Sequence, residues 1–374
     1  MRMKPNAARA FSAVVTLVFL TFSAAATAAP DDLFSREKIV ALLYRINEYQ
    51  RTHPSKERDR DWVRATYYTG VMALYHTTKD TKILDQAMEW ARRNDFEVGQ
   101  ELKLPANRMT CGQTYLELYF TKKDPAMIAK MRTFMDEQIA SGVAGRVAWF
   151  YCDTLYVGPP ALAMMGHATG ERKYYDYLHK MYWDVAALLF DKPYGLFYRD
   201  ARFKDAKTKN GRKVFWSRGN GWVIAGIPRI LTYLPEDDPQ RERYLEMFRA
   251  LAASIARVQG ADGLWRANLG DPDEVPNPET SGSAFFCYAM AWGINNGHLD
   301  RATFLPVVRK AWQGLVTCVD EGGRLGYVQP PGDAPRPADR EMTHEYAAGA
   351  FLLAGSEMAK RKARIAKRTA DNEQ

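Results

Sequence analysis

The residues best suited to chemistry gather in a few aromatic or glycine-rich stretches. Asp153 stands in Trp149-Phe150-Tyr151-Cys152-Asp153-Thr154-Leu155-Tyr156 and is followed by Gly158-Pro159-Pro160. An aspartate at a helix entrance reads first as an N-cap. Flanked by aromatics, it has a second reading: desolvation raises a carboxyl pKa, and a general acid needs that. The segment Phe215-Trp216-Ser217-Arg218-Gly219-Asn220-Gly221-Trp222 is the most specific in the chain. It reads either as a glycine-rich turn with core tryptophans or as a ligand loop. In the second case Arg218 is a planar fork for a carboxylate and Trp216 a sugar platform, with glycines admitting the ligand to the backbone. Glu279-Thr280-Ser281-Gly282-Ser283 reads as a helix cap or as polar groups at a ligand. Arg199 with Asp200 reads equally as a surface ion pair, His344 as a structural histidine or a ligand contact, and Cys152 as a packed thiol.

These groups need elements to position them, and the spacing of apolar residues supplies helices. From residue 34 onward apolar side chains recur at helical intervals, as in Tyr244, Met247, Phe248, Leu251, Ile255 and Val258. The pattern predicts twelve helices, near 35–51, 61–77, 80–97, 110–121, 124–140, 155–168, 171–189, 218–233, 238–259, 281–297, 301–319 and 341–361, with Pro228 kinking the eighth. Short turns after the even helices end in acids that suit capping: Asp80, Asp124, Glu171, Asp238 and Asp300. The connections after the odd helices are longer. Three of them share a motif: Gly195-Leu196-Phe197-Tyr198, Gly263-Leu264-Trp265 and Gly323-Arg324-Leu325-Gly326-Tyr327. The unit is therefore a helical hairpin used six times. Its irregular length favours an all-α (α/α)6 barrel over an open solenoid, which would keep a tighter period.

That geometry gathers the long loops and the even-helix N-termini at one mouth. The residues at those entrances are Trp62, Asn107 and Arg108, Asp153, Trp216 and Arg218, Thr280 and Ser281, and His344. Helix N-termini favour an anion there, and aromatics with a few polar groups suit a sugar bearing a carboxylate.

Composition narrows the class further. Of 374 residues 47% are hydrophobic and 12% aromatic, which excludes a disordered chain. Four cysteines with no CxxC pair, and no clustered histidines, argue against a disulfide scaffold and a zinc finger. The net charge of +8 would suggest nucleic acid, but it is terminal. Residues 1–28 carry +3 and residues 359–374 carry +4, leaving +1 for residues 29–358. No nucleic-acid partner is expected. Residues 2–9 are basic, 11–23 apolar, and small residues Ala26 and Ala28 follow, which is the pattern of a cleaved export signal at 1–28. The expectation is a periplasmic or extracellular protein, with no membrane association after cleavage. It would be one barrel domain over 29–358 with a basic tail at 359–374.

Several stretches resemble the unsaturated glycuronyl hydrolases of glycoside hydrolase families 105 and 88, especially the rhamnogalacturonyl hydrolase group. They are Gly112-Gln113-Thr114-Tyr115-Leu116-Glu117-Leu118-Tyr119, Cys152-Asp153 with Pro159-Pro160, Trp216 to Trp222, Glu279 to Ser283, and Gly349-Ala350-Phe351-Leu352-Leu353-Ala354. The resemblance runs over about residues 35–360. It implies an (α/α)6 barrel, no metal or cofactor, and Asp153 as the general acid/base. It places Arg218 and Trp216 on substrate-contacting positions. With Asn107, Arg108, Arg199, Trp222, Thr280, Ser281 and His344 they form the expected binding set. The chain departs from the family in two places: Asn107 and Arg108 stand where an aspartate pair is common, and Arg199 where a histidine is. The implied partner is an oligosaccharide ending in an unsaturated uronate. The implied chemistry is protonation of its C4=C5 enol ether and addition of water. An ordinary inverting glycosidase is the alternative and would need a second acid, Glu279 or Asp200. A non-catalytic exported glycan-binding protein would need neither.

Overall fold

The structure is a computed structural model that describes residues 32–371, with side chains through residue 360. The export segment expected at 1–28 lies outside the described residues. Six helices form an inner ring: Trp62–Thr78, Thr110–Lys122, Pro159–Thr169, Ser217–Tyr233, Thr280–Asn295 and Glu345–Asp371. Six form an outer ring: Arg36–Thr52, Thr81–Arg93, Ala126–Ala140, Arg172–Leu189, Arg241–Arg257 and Arg301–Thr317. Each inner helix packs on the next, and the last packs on the first, closing an (α/α)6 barrel.

Sequence chemistry separates the rings. The inner helix Ser217–Tyr233 is buried on every side from Ser217 to Leu231, and Thr280–Asn295 from Thr280 to Ile294. A helix apolar all round belongs in a core. The outer helix Thr81–Arg93 instead buries one stripe, Ile83, Leu84, Ala87, Met88, Trp90 and Ala91. Closure of the ring depends on two glycines. A Cβ on Gly70 would sit 2.4 Å from the Gly349 carbonyl oxygen, so the first and last inner helices meet backbone to backbone.

The repeated Gly-Leu-aromatic motif has one structural meaning in all three copies. Gly195, Gly263 and Gly323 have φ of 64°, 85° and 97°, a region that disfavours side chains. Each leads into a short antiparallel pairing: Phe190 with Phe197, Trp265 with Glu279, and Val319 with Leu325. Each glycine also abuts the next outer helix, where a Cβ would lie 2.3 Å from Ser254 Oγ, 2.1 Å from the Lys310 oxygen and 2.5 Å from the Arg45 oxygen respectively. The motif thus turns the long loop and locks one hairpin against its neighbour.

The acidic turns cap largely as expected. Asp80 and Asp300 accept N–H bonds from Lys82 and Thr303. Asp124 and Asp238 bond the N–H two residues on, and Glu171 makes no side-chain cap. Three helices differ from expectation. The sixth splits into Thr154–Val157 and Pro159–Thr169, because Gly158-Pro159-Pro160 interrupts its hydrogen bonding. The third stops at Arg93, where Asp95 and Phe96 turn left-handed. The last runs Glu345–Asp371 and crosses residue 358 without a break in its backbone.

Candidate active site

At the mouth where the long loops gather lies a cavity of about 270 Å³. It is lined by Trp62, Leu104, Asn107, Tyr151, Asp153, Val157, Arg199, Trp222 and residues 331–333. A larger cavity, about 560 Å³, lies around Arg229 and Glu117 at the other end of the inner helices. Its charges are paired among themselves: Arg229 and His76 with Glu117, and Lys360 with Glu357. The smaller cavity is different, because it sets Asp153 beside Arg199, whose Nε makes no hydrogen bond.

Asp153 is brought there by a turn that follows a single antiparallel bridge. Tyr151 bridges to Asp200, and the Cys152 N–H donates to the Arg199 carbonyl at 2.8 Å. This pairing sets the Asp153 and Arg199 side chains next to each other, with Arg199 Nε 3.6 Å from Asp153 Oδ2. The N-cap reading of Asp153 fails: it sits at the helix entrance, but its carboxylate accepts no N–H bond from Thr154–Val157. Its side chain is only 15% exposed. Burial raises its pKa, against the lowering influence of Arg199, Arg218 and the Cys152 thiol. The carboxyl is therefore biased to hold a proton, as an acid catalyst requires.

The guanidinium of Arg199 lies 4.7 Å from the Tyr151 ring centre and donates through Nη1 to Asp200 Oδ2 at 2.9 Å. Its Nε is buried and makes no hydrogen bond, with Asp153 as its nearest charged neighbour. Arg218 Nε and His344 Nδ1 are buried and unpaired as well. Buried polar groups are seldom left without a hydrogen bond; of these, Arg199 lines the cavity beside Asp153, and the charge of Arg218 also acts on that acid. Burial and the charge of Arg218 lower the pKa of His344, whose ring lies parallel to Tyr346 at 5.8 Å.

Several expected contacts lie elsewhere. Arg218 is not an open fork. It is 1% exposed, and its two Nη atoms donate to the Gln329 and Pro330 carbonyls and the Tyr346 hydroxyl. It pins the loop that forms the cavity rim and leaves only Nε free. Trp216 is not a sugar platform: it is 1% exposed, its Nε1 donates to Gln329, and its face carries Arg218 at 4.5 Å. Trp62 and Trp222 line the cavity instead, edge to face at 5.8 Å. Thr280 and Ser281 are fully buried; Thr280 donates to the Gly326 carbonyl, and Ser281 bonds Glu279. Arg108 turns away, donating to the Gly99 carbonyl and covering the Phe134 ring. Its neighbour Asn107 does reach the cavity and accepts the Tyr151 hydroxyl at 2.6 Å.

Tyr151, Leu104 and Asp333 are cavity residues that sequence reasoning missed. Tyr151 had a usable signal, since it stands two residues before Asp153 in the same aromatic run. Asp333 had none, because it sits in an irregular proline-rich connection that folds back over the mouth.

A closed double ring of helices with a buried acid beside an arginine at one mouth is the build of a barrel glycoside hydrolase. The chain belongs to Glycosyl Hydrolase Family 88, whose profile matches residues 39–362. It is 35% identical to an unsaturated 3S-rhamnoglycuronyl hydrolase of Formosa agariphila, across 87% of this chain and 92% of that one. It is 34% identical to a protein of the same name from Alteromonas sp., across 85% and 82%. A solved family 88 glycosyl hydrolase from Bacteroides vulgatus superposes with a TM-score of 0.82 at 34% identity, across 87% and 99%.

Proposed function

We propose that this hydrolase removes a 4,5-unsaturated uronic acid from the non-reducing end of lyase-generated oligosaccharides, with Asp153 as the acid that starts the reaction. One observation carries the assignment to residues: a buried carboxyl of raised pKa at the cavity wall, beside an arginine whose Nε makes no hydrogen bond. The names of the two relatives support the substrate class.

The chemistry follows from the substrate's enol ether. Asp153 donates its proton to C4, and positive charge develops at C5 and the ring oxygen. Water adds at C5 and returns a proton to the Asp153 carboxylate. The resulting hemiketal opens and releases the rest of the glycan. One carboxyl suffices, so the two-carboxylate spacing of ordinary glycosidases does not apply. Arg199 Nε is the donor offered to the substrate carboxylate, with Trp62 as the aromatic wall. Binding that anion beside Asp153 offsets the two arginines and favours the protonated acid further.

The inverting alternative loses its second acid. Asp200 is held by two arginines, and Glu279 spends its carboxylate on the N–H groups of Ser281 and Gly282. The test is a panel of lyase-generated oligosaccharides followed by loss of alkene ultraviolet absorbance. Consumption of saturated glycosides with no turnover of unsaturated ones would overturn the reading.

Export is part of the proposal and rests on residues 1–28. Mass spectrometry of the protein from its host should find a mature start near Ala29, and an intact Met1 in the cytoplasm would refute it. Among the described residues no helix is long and apolar enough to cross a membrane. The near-neutral charge of residues 29–358 supports a partner that is a saccharide rather than a nucleic acid.

A further inference from the structure

Asp200 is a buried carboxylate that the proposed reaction leaves without a role. It is 3% exposed, and four donors converge on it. Its Oδ2 accepts Arg199 Nη1 at 2.9 Å and Arg202 Nη2 at 2.8 Å, and its Oδ1 accepts the Arg202 N–H at 3.0 Å and Arg202 Nε at 2.9 Å. Arg202 is itself 65% exposed and reaches on to Asp333 Oδ2 at 2.8 Å, on the cavity rim. One line of charges therefore runs Asp153, Arg199, Asp200, Arg202, Asp333, alternating in sign from the acid to the rim.

We propose that Asp200 is a positioning residue for the reaction: it holds Arg199 with Nε toward the cavity and offsets the arginine's charge beside Asp153. The inference rests on Asp153 being the acid. The physical need is plain. A guanidinium 3.6 Å from a carboxyl stabilises the ionised form, which is the wrong form for a proton donor. Sharing that guanidinium with a second, permanently ionised carboxylate weakens its pull. Arg202 keeps Asp200 ionised and sets how much of the negative charge is left for Arg199. The other groups facing Asp153 do not duplicate this role. Arg218 is a second cation, and Cys152 and Tyr151 are kept neutral by burial.

The line of charges predicts two opposite shifts. In Asp200→Asn the side-chain oxygen can still accept from Arg199, but the negative charge is gone. Arg199 then acts on Asp153 at full strength, and the alkaline limb of the kcat profile moves down by about half a pH unit. In Arg202→Gln the Asp200 charge is no longer shared, and Asp333 loses its partner. The same limb then moves up by a similar amount. A residue that merely supports the fold would lower melting and move neither limb. The experiment is kcat against pH for wild type, both single variants and the double variant, with melting followed alongside. Opposite shifts that largely cancel in the double variant support the proposal. Unmoved limbs, or shifts in one direction, overturn it. Should Asp200→Asn fail to fold, Arg202→Gln alone carries the test, since its side chain is solvent-exposed. Full turnover by Asp153→Asn would instead defeat the assignment of the acid, a separate result.

Discussion

Replacing Asp153 by Asn separates chemistry from stability, and the structure sets the sign of both. Asn has the same shape but no carboxylic proton to donate. Loss of a general acid costs about 10²–10⁴ in rate, which is about 2.7–5.4 kcal/mol at 1.36 kcal/mol per decade. Stability should move the other way. Asp153 makes no cap bond, so no capping energy is lost. Its folded-state pKa is raised, so the ionised form carries a penalty at every pH above the ordinary carboxyl range. Each unit of that elevation amounts to about 1.4 kcal/mol at neutral pH. The variant should therefore melt about 1–3 °C higher at pH 7, and the difference should vanish as pH falls below about 4. The assay is loss of alkene absorbance, with calorimetry at pH 4 and 7. A folded Asn variant that turns over at the wild-type rate would remove Asp153 from the mechanism. A variant that melts well below wild type at pH 7 would refute the burial argument.

Arg218→Lys should loosen the rim, because an ammonium cannot reach both the Gln329 and Pro330 carbonyls. Losing a charge-assisted bond costs about 1.5–3 kcal/mol of stability and should raise KM more than it lowers kcat; unchanged melting and KM would count against the pinning role. Glu101, which accepts the Trp62 backbone N–H, has its pKa raised to about 7 by burial and by the nearby Asp61. Its folded pKa exceeds its unfolded one, so stability is full below about 4.5 and declines as pH rises to about 7. Glu101→Gln should flatten that decline, and equal slopes of melting temperature against pH in both proteins would contradict it. Gly263→Ala forces a side chain into positive φ and against the Lys310 carbonyl. It should cost about 2 kcal/mol or more, read by denaturant unfolding, and a neutral result would refute the locking role of the motif.

The amino-acid sequence was enough to place all twelve barrel helices, their pairing into hairpins, and the mouth at which Asp153 sits. These features are local or periodic. An apolar stripe, an acidic turn or a positive-φ glycine writes its role within a few residues. The family was legible for a similar reason, since its motifs are contiguous. The use of each binding residue was not. Arg218 and Trp216 stand in the most specific stretch, yet they turn inward to hold Gln329 and Pro330, more than a hundred residues away. Arg108 follows Asn107, yet one helical step sends it to Phe134 while Asn107 meets Tyr151. Asp200 reads as half of a surface ion pair until Arg199, Arg202 and Asp333 are seen on one line. Whether a polar group is spent on the protein or left free for a ligand depends on partners distant in the chain. Only packing of the loops over the barrel mouth brings those partners within hydrogen-bonding distance.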